Sequence, residues 1–403
     1  MASKTDHYKK KILKELCFGS VLSGTEISTR IERSLPLTLR ILTELVEEGI
    51  VEEKGYAPST GGRRPLMYSL VAGKMYVVSV AMDQLITKIG LVDLQNAQIV
   101  KADKFPIDLK QNADSLAELT RYIKSYCDAS GISYDKIIGV GIGMPGFVDV
   151  RKGINYSYLD NNGKSIVSHL EEELGLPVFI DNDSSLIALA EFKLGAARGK
   201  NNAMVINTNW GVGLGMIING ELFRGYNGFA GEFSHMPLFN NNKLCSCGKS
   251  GCLETEASLL EVIEKMKLGL KNGRVSILKK IPDDYEEACS VIIGAAVKGD
   301  QFAVELLSEI AYNIGRGIAI LIHILNPELI VLSGRGASAG HLWLAPVQQA
   351  VNRYCIPRLA AYTTITVSNF NTEAELIGAA ALVVENFEKD PTENILADHV
   401  MNQ

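Results

Sequence analysis

Residues 203–218 read AMVINTNWGVGLGMII: an apolar run, a turn at Asn209, Trp210 and Gly211, and a second apolar run. Short apolar runs on either side of a glycine turn predict two adjacent strands. A similar pair lies upstream, KMYVVSVAMD at 74–83 and KIGLVDL at 88–94. Helical and strand segments follow each pair. In the first half they are an amphipathic helix over 113–130, the strand IIGVGIGMPGFVDV (137–150), the helix SIVSHLEEELGL (165–176), the strand PVFIDND (177–183) and the helix SSLIALAEFKLGAA (184–197). In the second half, 258–272 and 285–325 are mostly helical, while ELIVLSGRGAS (328–338) and TITVSNF (364–370) are strands. Strands alternating with helices predict an α/β fold. Two βββαβα-like halves, beginning near residues 75 and 203, predict the ribonuclease-H-like, actin-like arrangement of two lobes with a cleft between them.

The first seventy residues follow another pattern. HYKKKILKELC (7–17) carries Ile12, Leu13 and Leu16 at helical spacing, with lysines opposite. Thr25 is placed to cap a second short helix. Ser34 starts a third, with Pro36 in its first turn and Gly49 at its end. Two strands, GIVEEKGY (49–56) and RRPLMYSL (63–70), then flank the tip APSTGGRRP (57–65). This pattern predicts a winged helix-turn-helix over residues 1–72. The third helix of such a unit enters the major groove with its N-terminal residues foremost. Thr38 and Arg40 are therefore candidate base readers, and Ser34 lies near the phosphates. Arg63 and Arg64 follow two glycines and are candidates for a minor groove, whose negative potential favours arginine. Residues 1–72 hold eleven Lys and Arg against nine Asp and Glu, a balance of +2 in a chain of net −6. The two lobes are expected at 73–195 and 196–403, with a C-terminal helix near 380–390 packing back on the first.

Cys245, Cys247 and Cys252 form C-x-C-G-x-x-G-C, with His235 ten residues before the first cysteine and Glu254 two residues after the last. Three thiolates and one imidazole complete a tetrahedral zinc shell with no position left for water, which predicts a structural Zn site. Cys17, Cys127, Cys289 and Cys355 are scattered and read as small core residues. The charged N-terminus lacks a signal-peptide pattern, and no apolar run reaches membrane-spanning length, so a cytoplasmic protein with no membrane partner is expected.

The motifs after residue 74 resemble those of the ROK family, whose members are sugar-responsive repressors and sugar kinases. FIDNDSSLIALAE resembles its N-D-x-N sugar motif, and GFAGEFSHMPL its G-E-x-G-H motif. CSCGKSGCLE is similar to its zinc signature, NPELIVLSGRG to its adenosine-side strand, and the G-G-R-R-P segment to the wing of its repressors. The resemblance implies that Asn182, Asp183, Glu232, His235 and Glu254 hold sugar hydroxyls. It also implies that one ring nitrogen of His235 faces the metal and the other a hydroxyl.

Several positions depart from the family pattern. Ser185 stands for an asparagine and Ser234 for a glycine. The kinase phosphate loop D-x-G-G-T becomes Ala81, Met82, Asp83, Gln84 and Leu85, without its glycines, and Asp83 would repel a phosphate. At the second loop, where kinases have G-T-G, Asn209, Trp210 and Gly211 place a tryptophan beside the phosphates. These losses argue against ATP use. The expected function is a transcriptional regulator, a repressor, that binds operator DNA as a homodimer or homotetramer and a sugar or sugar phosphate in the cleft. The alternative is a helix-turn-helix-fused ROK sugar kinase.

Overall fold

The computed structural model describes residues 4–58, 64–84, 86–95, 97–109, 114–159 and 163–388. They form two compact units, Met1–Asp183 with Leu376–Gln403, and Ser184–Glu375.

The first unit opens with α1 (Lys4–Gly19), β1 (Leu22–Ser23), α2 (Gly24–Arg30), α3 (Leu35–Glu47), β2 (Val51–Tyr56) and β3 (Leu66–Leu70). The strands form one sheet in the order β1-β3-β2. Ile12, Leu16, Ile27, Ile41, Leu42 and Leu45 are buried on the three helices. The cap of α2 is Ser23 rather than Thr25. Its hydroxyl accepts from the Glu26 amide while the Glu26 carboxylate accepts from the Ser23 amide, the reciprocal S-x-x-E box. Gly49, at φ +69°, follows α3 in the left-handed conformation that ends a helix.

The first lobe then builds β4 (Tyr76–Met82), β5 (Ile86–Asp93), β6 (Gln98–Pro106), α4 (Ser115–Ala129), β7 (Ile137–Met144), the short pair β8 (Val148–Asp149) and β9 (Ile154–Asn155), α5 (Ile166–Leu174) and β10 (Val178–Asn182). Its sheet runs β6-β5-β4-β7-β10. The first three strands are antiparallel, and β7 and β10 run parallel to β4. Val78, Val80, Ile142 and Ile180 from the sheet share one core with Leu119 and Ile123 of α4 and Leu170 of α5.

The second unit takes up α6 (Asp183–Lys193) after its first residue. It continues with β11 (Ala203–Thr208), β12 (Val212–Ile218), β13 (Glu221–Phe223), α7 (Leu259–Lys271), α8 (Tyr285–Val297), α9 (Gln301–Leu325), β14 (Leu329–Ser333), α10 (His341–Tyr354), α11 (Pro357–Ala360) and β15 (Thr364–Val367). Its sheet runs β13-β12-β11-β14-β15, the same order as the first: third, second, first, fourth, fifth. The two halves therefore share one α/β plan, as expected for a two-lobed ribonuclease-H-like fold. The unit boundary precedes the body of α6, since Ile187 and Ala188 share a core with Val205, Ile217 and Val331.

Two fastenings hold the winged helix within its unit. Asp93, at the end of β5 and 8% exposed, accepts from the Gly73 amide at 2.6 Å and the Gln95 amide at 2.8 Å, and so clamps the segment that leaves β3. The second fastening is α12 (Ala374–Asn386). A Cβ on Gly139 of β7 would meet Val383 Cγ1 at 3.0 Å, so α12 lies close against that strand. In its last turn and just beyond it, Glu385 and Glu388 meet Lys14 of α1 at 3.5 Å, and Lys10 lies 5.1 Å over the Phe387 ring. Among the described residues, no helix is long and apolar enough to cross a membrane.

Two helical glycines test the packing in opposite directions. A Cβ on Gly315 of α9 would lie 2.7 Å from both Ala350 Cβ and Val347 O, whereas one on Gly294 of α8 has nothing within 4 Å. Gly315→Ala is expected to lower stability by about 1–3 kcal/mol through overpacking. Gly294→Ala is expected to raise it by about 0.5–1 kcal/mol through helix propensity. Urea unfolding of the two variants beside the wild type checks the sign of each.

Candidate functional site

His235 lies in a short 3-10 turn, Phe233–His235, behind Gly231 at φ +104°. Phe233 and Leu253 both pack against Gly317 of α9, where a Cβ would meet the Phe233 ring at 2.6 Å and Leu253 Cδ2 at 2.9 Å. One helix surface thus sets both ends of the cysteine loop. Within the loop, Pro237 bridges Cys252 and Leu244 bridges Ser250 as antiparallel pairs. The Gly248 amide donates to Cys245 O at 2.9 Å with Gly248 at φ +81°, a tight turn that a side chain would strain.

The ligand atoms of His235, Cys245, Cys247 and Cys252 lie within 4.8 Å of one another. Cys247 Sγ and Cys252 Sγ are 3.7 Å apart, and Cys245 Sγ is 3.4 Å from His235 Nδ1. A tetrahedron with metal–sulfur bonds of about 2.3 Å has edges of about 3.8 Å, so the cluster has the dimensions of a closed four-ligand shell. His235 Nε2 faces Glu232 Oε2 at 3.6 Å, which leaves Nδ1 for the metal and gives the ring a carboxylate to orient it. Burial, with the two neighbouring thiols, pushes the Cys252 thiol up to about 12. Desolvation acts to raise Cys247 as well, but the Lys249 backbone hydrogen bond and the facing thiols outweigh it and hold that thiol below its ordinary value. A metal taken up here displaces thiol protons.

Beyond the four ligands, Glu256 anchors the loop. It is 8% exposed and meets Lys243 at 2.9 Å, Lys265 at 3.6 Å and the Asn241 side-chain amide at 2.9 Å. No motif pointed to this residue.

The candidate effector residues fall in both units. Asn182 ends β10, and its side-chain amide donates to Gly146 O at 3.2 Å. Asp183, the next residue, begins α6. Glu232, His235 and Glu254 are grouped in the second unit. Glu254 Oε2 lies 2.6 Å from where a Cβ on Gly211 would stand, so the glycine of the Asn-Trp-Gly turn leaves room for this carboxylate. Its other oxygen accepts from Ser246 Oγ at 3.5 Å. Burial pushes the Glu232 carboxyl above its ordinary range, His235 opposes this and Glu254 adds to it. Ser234 is buried, 5% exposed.

Both phosphate-loop equivalents carry contacts made by this chain's own residues. Asp83 Oδ1 accepts from the Ile86 amide at 2.7 Å, and the Asp83 amide donates to Ile86 O at 3.0 Å, making the first loop a tight hairpin turn. Leu85 lies outside the described residues. At the second loop Trp210 is 6% exposed. The Arg335 guanidinium sits 4.5 Å over its ring, and Tyr285 lies 6.1 Å away. Arg335 also pairs with Glu286 at 3.0 Å, both side chains 15% exposed or less. The Arg335 amide donates to Asn209 Oδ1 at 2.9 Å and locks the turn to the segment after β14. Sequence reading singled out Trp210 but missed Arg335 and Glu286, whose role arises only through long-range contact.

In the winged helix, Ser34 is the exposed N-cap of α3, without a capping hydrogen bond from its side chain. The Arg40 side chain is 64% exposed, with Glu44 at 3.9 Å. Arg64 is exposed at the end of the wing, and Arg63 lies outside the described residues. The expectation for Thr38 is corrected. It is 0% exposed, and its hydroxyl donates to Ser34 O at 3.1 Å. It faces the core beside Ile41, Leu42 and Leu45, because it lies on their side of the helix.

Residues 83–386 match the ROK family. The chain is 30% identical over 393 residues to the putative xylose repressor of Caldicellulosiruptor sp. (strain Rt8B.4), covering 94% of this chain and 95% of that protein. It is 35% identical over 258 residues to a glucokinase of Halalkalibacterium halodurans, covering 62% of this chain and 77% of the kinase. The crystal structure of a ROK family transcriptional regulator, a homologue of E. coli MLC protein, superposes with a TM-score of 0.74 at 23% identity, covering 99% of this chain and all of that one. The family match, the near full-length repressor relative and the shared fold agree: this chain belongs to the ROK family.

Proposed function

We propose that this chain is a sugar-responsive transcriptional repressor. In this reading the winged helix binds operator DNA, and Asn182, Asp183, Glu232, His235 and Glu254 hold the effector. One observation carries the reading. A ROK body that keeps the sugar-side residues lacks the glycines of its first phosphate loop and has its second packed by Trp210 and Arg335, and it follows a winged helix. Vicinal hydroxyls suit carboxylate acceptors and an amide that both donates and accepts. The xylose repressor among its relatives makes D-xylose the first sugar to test. Operator half-sites related by two-fold symmetry require two heads, so the working form is at least a homodimer. The protein acts in the cytoplasm, where its DNA is.

A sugar kinase is the second reading, favoured by the identity to a glucokinase and by the retention of Asp183, which is placed to act as a base toward an attacking hydroxyl. The two readings separate in one experiment. Under the repressor reading, ATP with glucose or xylose gives no turnover, and sugar releases the protein from its own promoter DNA. Asp183→Ala is then expected to keep DNA binding and to shift the release curve to about five- to 150-fold higher sugar, the equivalent of about 1–3 kcal/mol for an unpaired buried partner. ADP production abolished by Asp183→Asn would instead establish the kinase.

For DNA, Arg40→Ala and Arg64→Ala are expected to weaken promoter binding by about 1–3 kcal/mol if they read bases, with relaxed sequence preference. Loss of a phosphate contact alone would weaken all duplexes alike. Titration against promoter and random duplex at two salt concentrations decides which.

The metal we propose for the His235, Cys245, Cys247 and Cys252 cluster is zinc, in a structural role. One zinc per chain is expected by metal analysis. Chelation, or Cys247→Ser, is expected to lower the melting temperature by at least about 4 °C, equivalent to about 1–2 kcal/mol for a unit of this size. Protein purified without chelator that holds no metal would remove zinc from the account.

A further inference from the structure

The outward side of α3 is unusually apolar for a helix that reads DNA. Its buried side is Thr38, Ile41, Leu42 and Leu45. Leu35 and Leu39, one turn apart on one flank, are 38% and 39% exposed, and Val21 ahead of α2 is 43% exposed. Both leucines are held in place. A Cβ on Gly24, the first residue of α2, would lie 2.7 Å from Leu39 Cδ2 and 3.7 Å from Leu35 Cδ1. They are therefore propped over the start of α2 by a residue whose missing side chain makes the space. Arg40 stands on the opposite flank of the helix. Thr43, the next outward residue, donates its hydroxyl to Leu39 O at 3.0 Å. The acidic residues of the helix, Glu44 and Glu47, come only toward its C-terminal end.

This surface suits one feature of a major groove. Base edges there present donors and acceptors, and the one apolar group is the thymine C5-methyl. A leucine set against a guanine or adenine edge leaves polar atoms without partners, whereas against a thymine it buries a methyl. The surroundings fit a polyanion. The segment carries +2 within a chain of net −6, and no carboxylate lies in the first two turns of α3. We propose that Leu35 and Leu39 read thymine methyl groups in the operator's major groove, with Arg40 on the other flank of α3 facing the phosphates or a guanine. The proposal rests on the DNA-binding reading above and adds what the helix recognises.

The test uses the full-length protein and DNA duplexes selected by it from a random pool. Thymines in the selected sites are then replaced one at a time by deoxyuridine, which removes the methyl and keeps every hydrogen-bonding group. Wild-type protein is expected to bind about fourfold more weakly for each contacted methyl removed, the value of one buried carbon. Replacements outside the half-sites should change nothing. Leu39→Ala, with Leu39→Met as the variant that keeps bulk, is expected to lose the deoxyuridine effect at particular positions while Leu39→Met keeps it. Undiminished binding of wild type to fully deoxyuridine-substituted sites would overturn the proposal and leave DNA binding standing. So would a Leu39→Ala variant that keeps the whole effect, or one that instead changes the oligomeric state, which would give the leucines to a second copy of the chain. Failure to select any duplex would sink the DNA-binding reading and this proposal together.

Discussion

Two glycines of α9 govern much of the second unit. Gly315 and Gly317 are two residues apart, about 200° around a helix, so they open opposite sides of it. On one side α10 approaches until Ala350 and Val347 touch the backbone. On the other, Phe233 and Leu253 press against Gly317. Neighbouring groups on the same helix extend this second contact. The Asn313 side chain donates to Glu256 O at 2.9 Å, and Arg316 donates to Leu238 O at 3.0 Å with its guanidinium over the Phe239 ring. Glycine in a helix interior costs up to about 1 kcal/mol each relative to alanine. At Gly317 that cost is offset by seating the cysteine loop on a buried helix, where the side chains of His235, Cys245, Cys247 and Cys252 converge.

The Asn-Trp-Gly turn is packed by side chains from distant parts of the same unit. A loop that cradles phosphate leaves amides unpaired and space above them. In this chain Arg335 occupies the face of Trp210 and is itself paired with Glu286 in a dry setting. An ion pair with so little exposure returns little net stability, because desolvation opposes the Coulomb gain. It does resist opening, since removing either partner leaves a buried charge. Glu254 stands on the other side of the same turn, at Gly211, so the turn still shapes the carboxylate face. The two sides of this loop thus carry different chemistry, the Arg335–Trp210 stack on one and the Glu254 carboxylate on the other.

Much of this was legible in the sequence where local chemistry decides the outcome. The two hairpins, the helix stops and the convergence of His235 with the three cysteines follow from short-range patterns. The missed elements failed for identifiable reasons. Strand β6, QIVKADKFP, is largely exposed and charged, so its pairing with β5 leaves no apolar alternation to read. Ser23, not Thr25, caps α2, although the signal was present as Ser23-Gly24-Thr25-Glu26. Thr38 resembled a DNA contact because of its place near the start of α3, yet the three-to-four residue spacing of Ile41, Leu42 and Leu45 already assigned it to the core face. Arg335 could not be found, since it acts through Trp210 and Glu286, tens of residues away, and Glu256 pairs with Asn241, Lys243 and Lys265 through a loop and helix whose packing no short-range pattern shows.

The chain passes between its two units at only two places, 183/184 and 375/376. Both lie within the first two residues of a helix. The first is the start of α6, at Asp183, a candidate effector residue. The second is the start of α12, whose body runs along β7 of the first sheet and leads to Glu385 and Glu388, the partners of Lys14 in the winged helix. A helix is stiff over such a length because its hydrogen bonds run along the axis. The ion pairs at the far end are half-buried and longer, at 3.5 Å. Asp93 supplies the opposite property, a short buried clamp on the segment leaving β3. The winged helix is thus held at one point by short buried hydrogen bonds and at another by ion pairs.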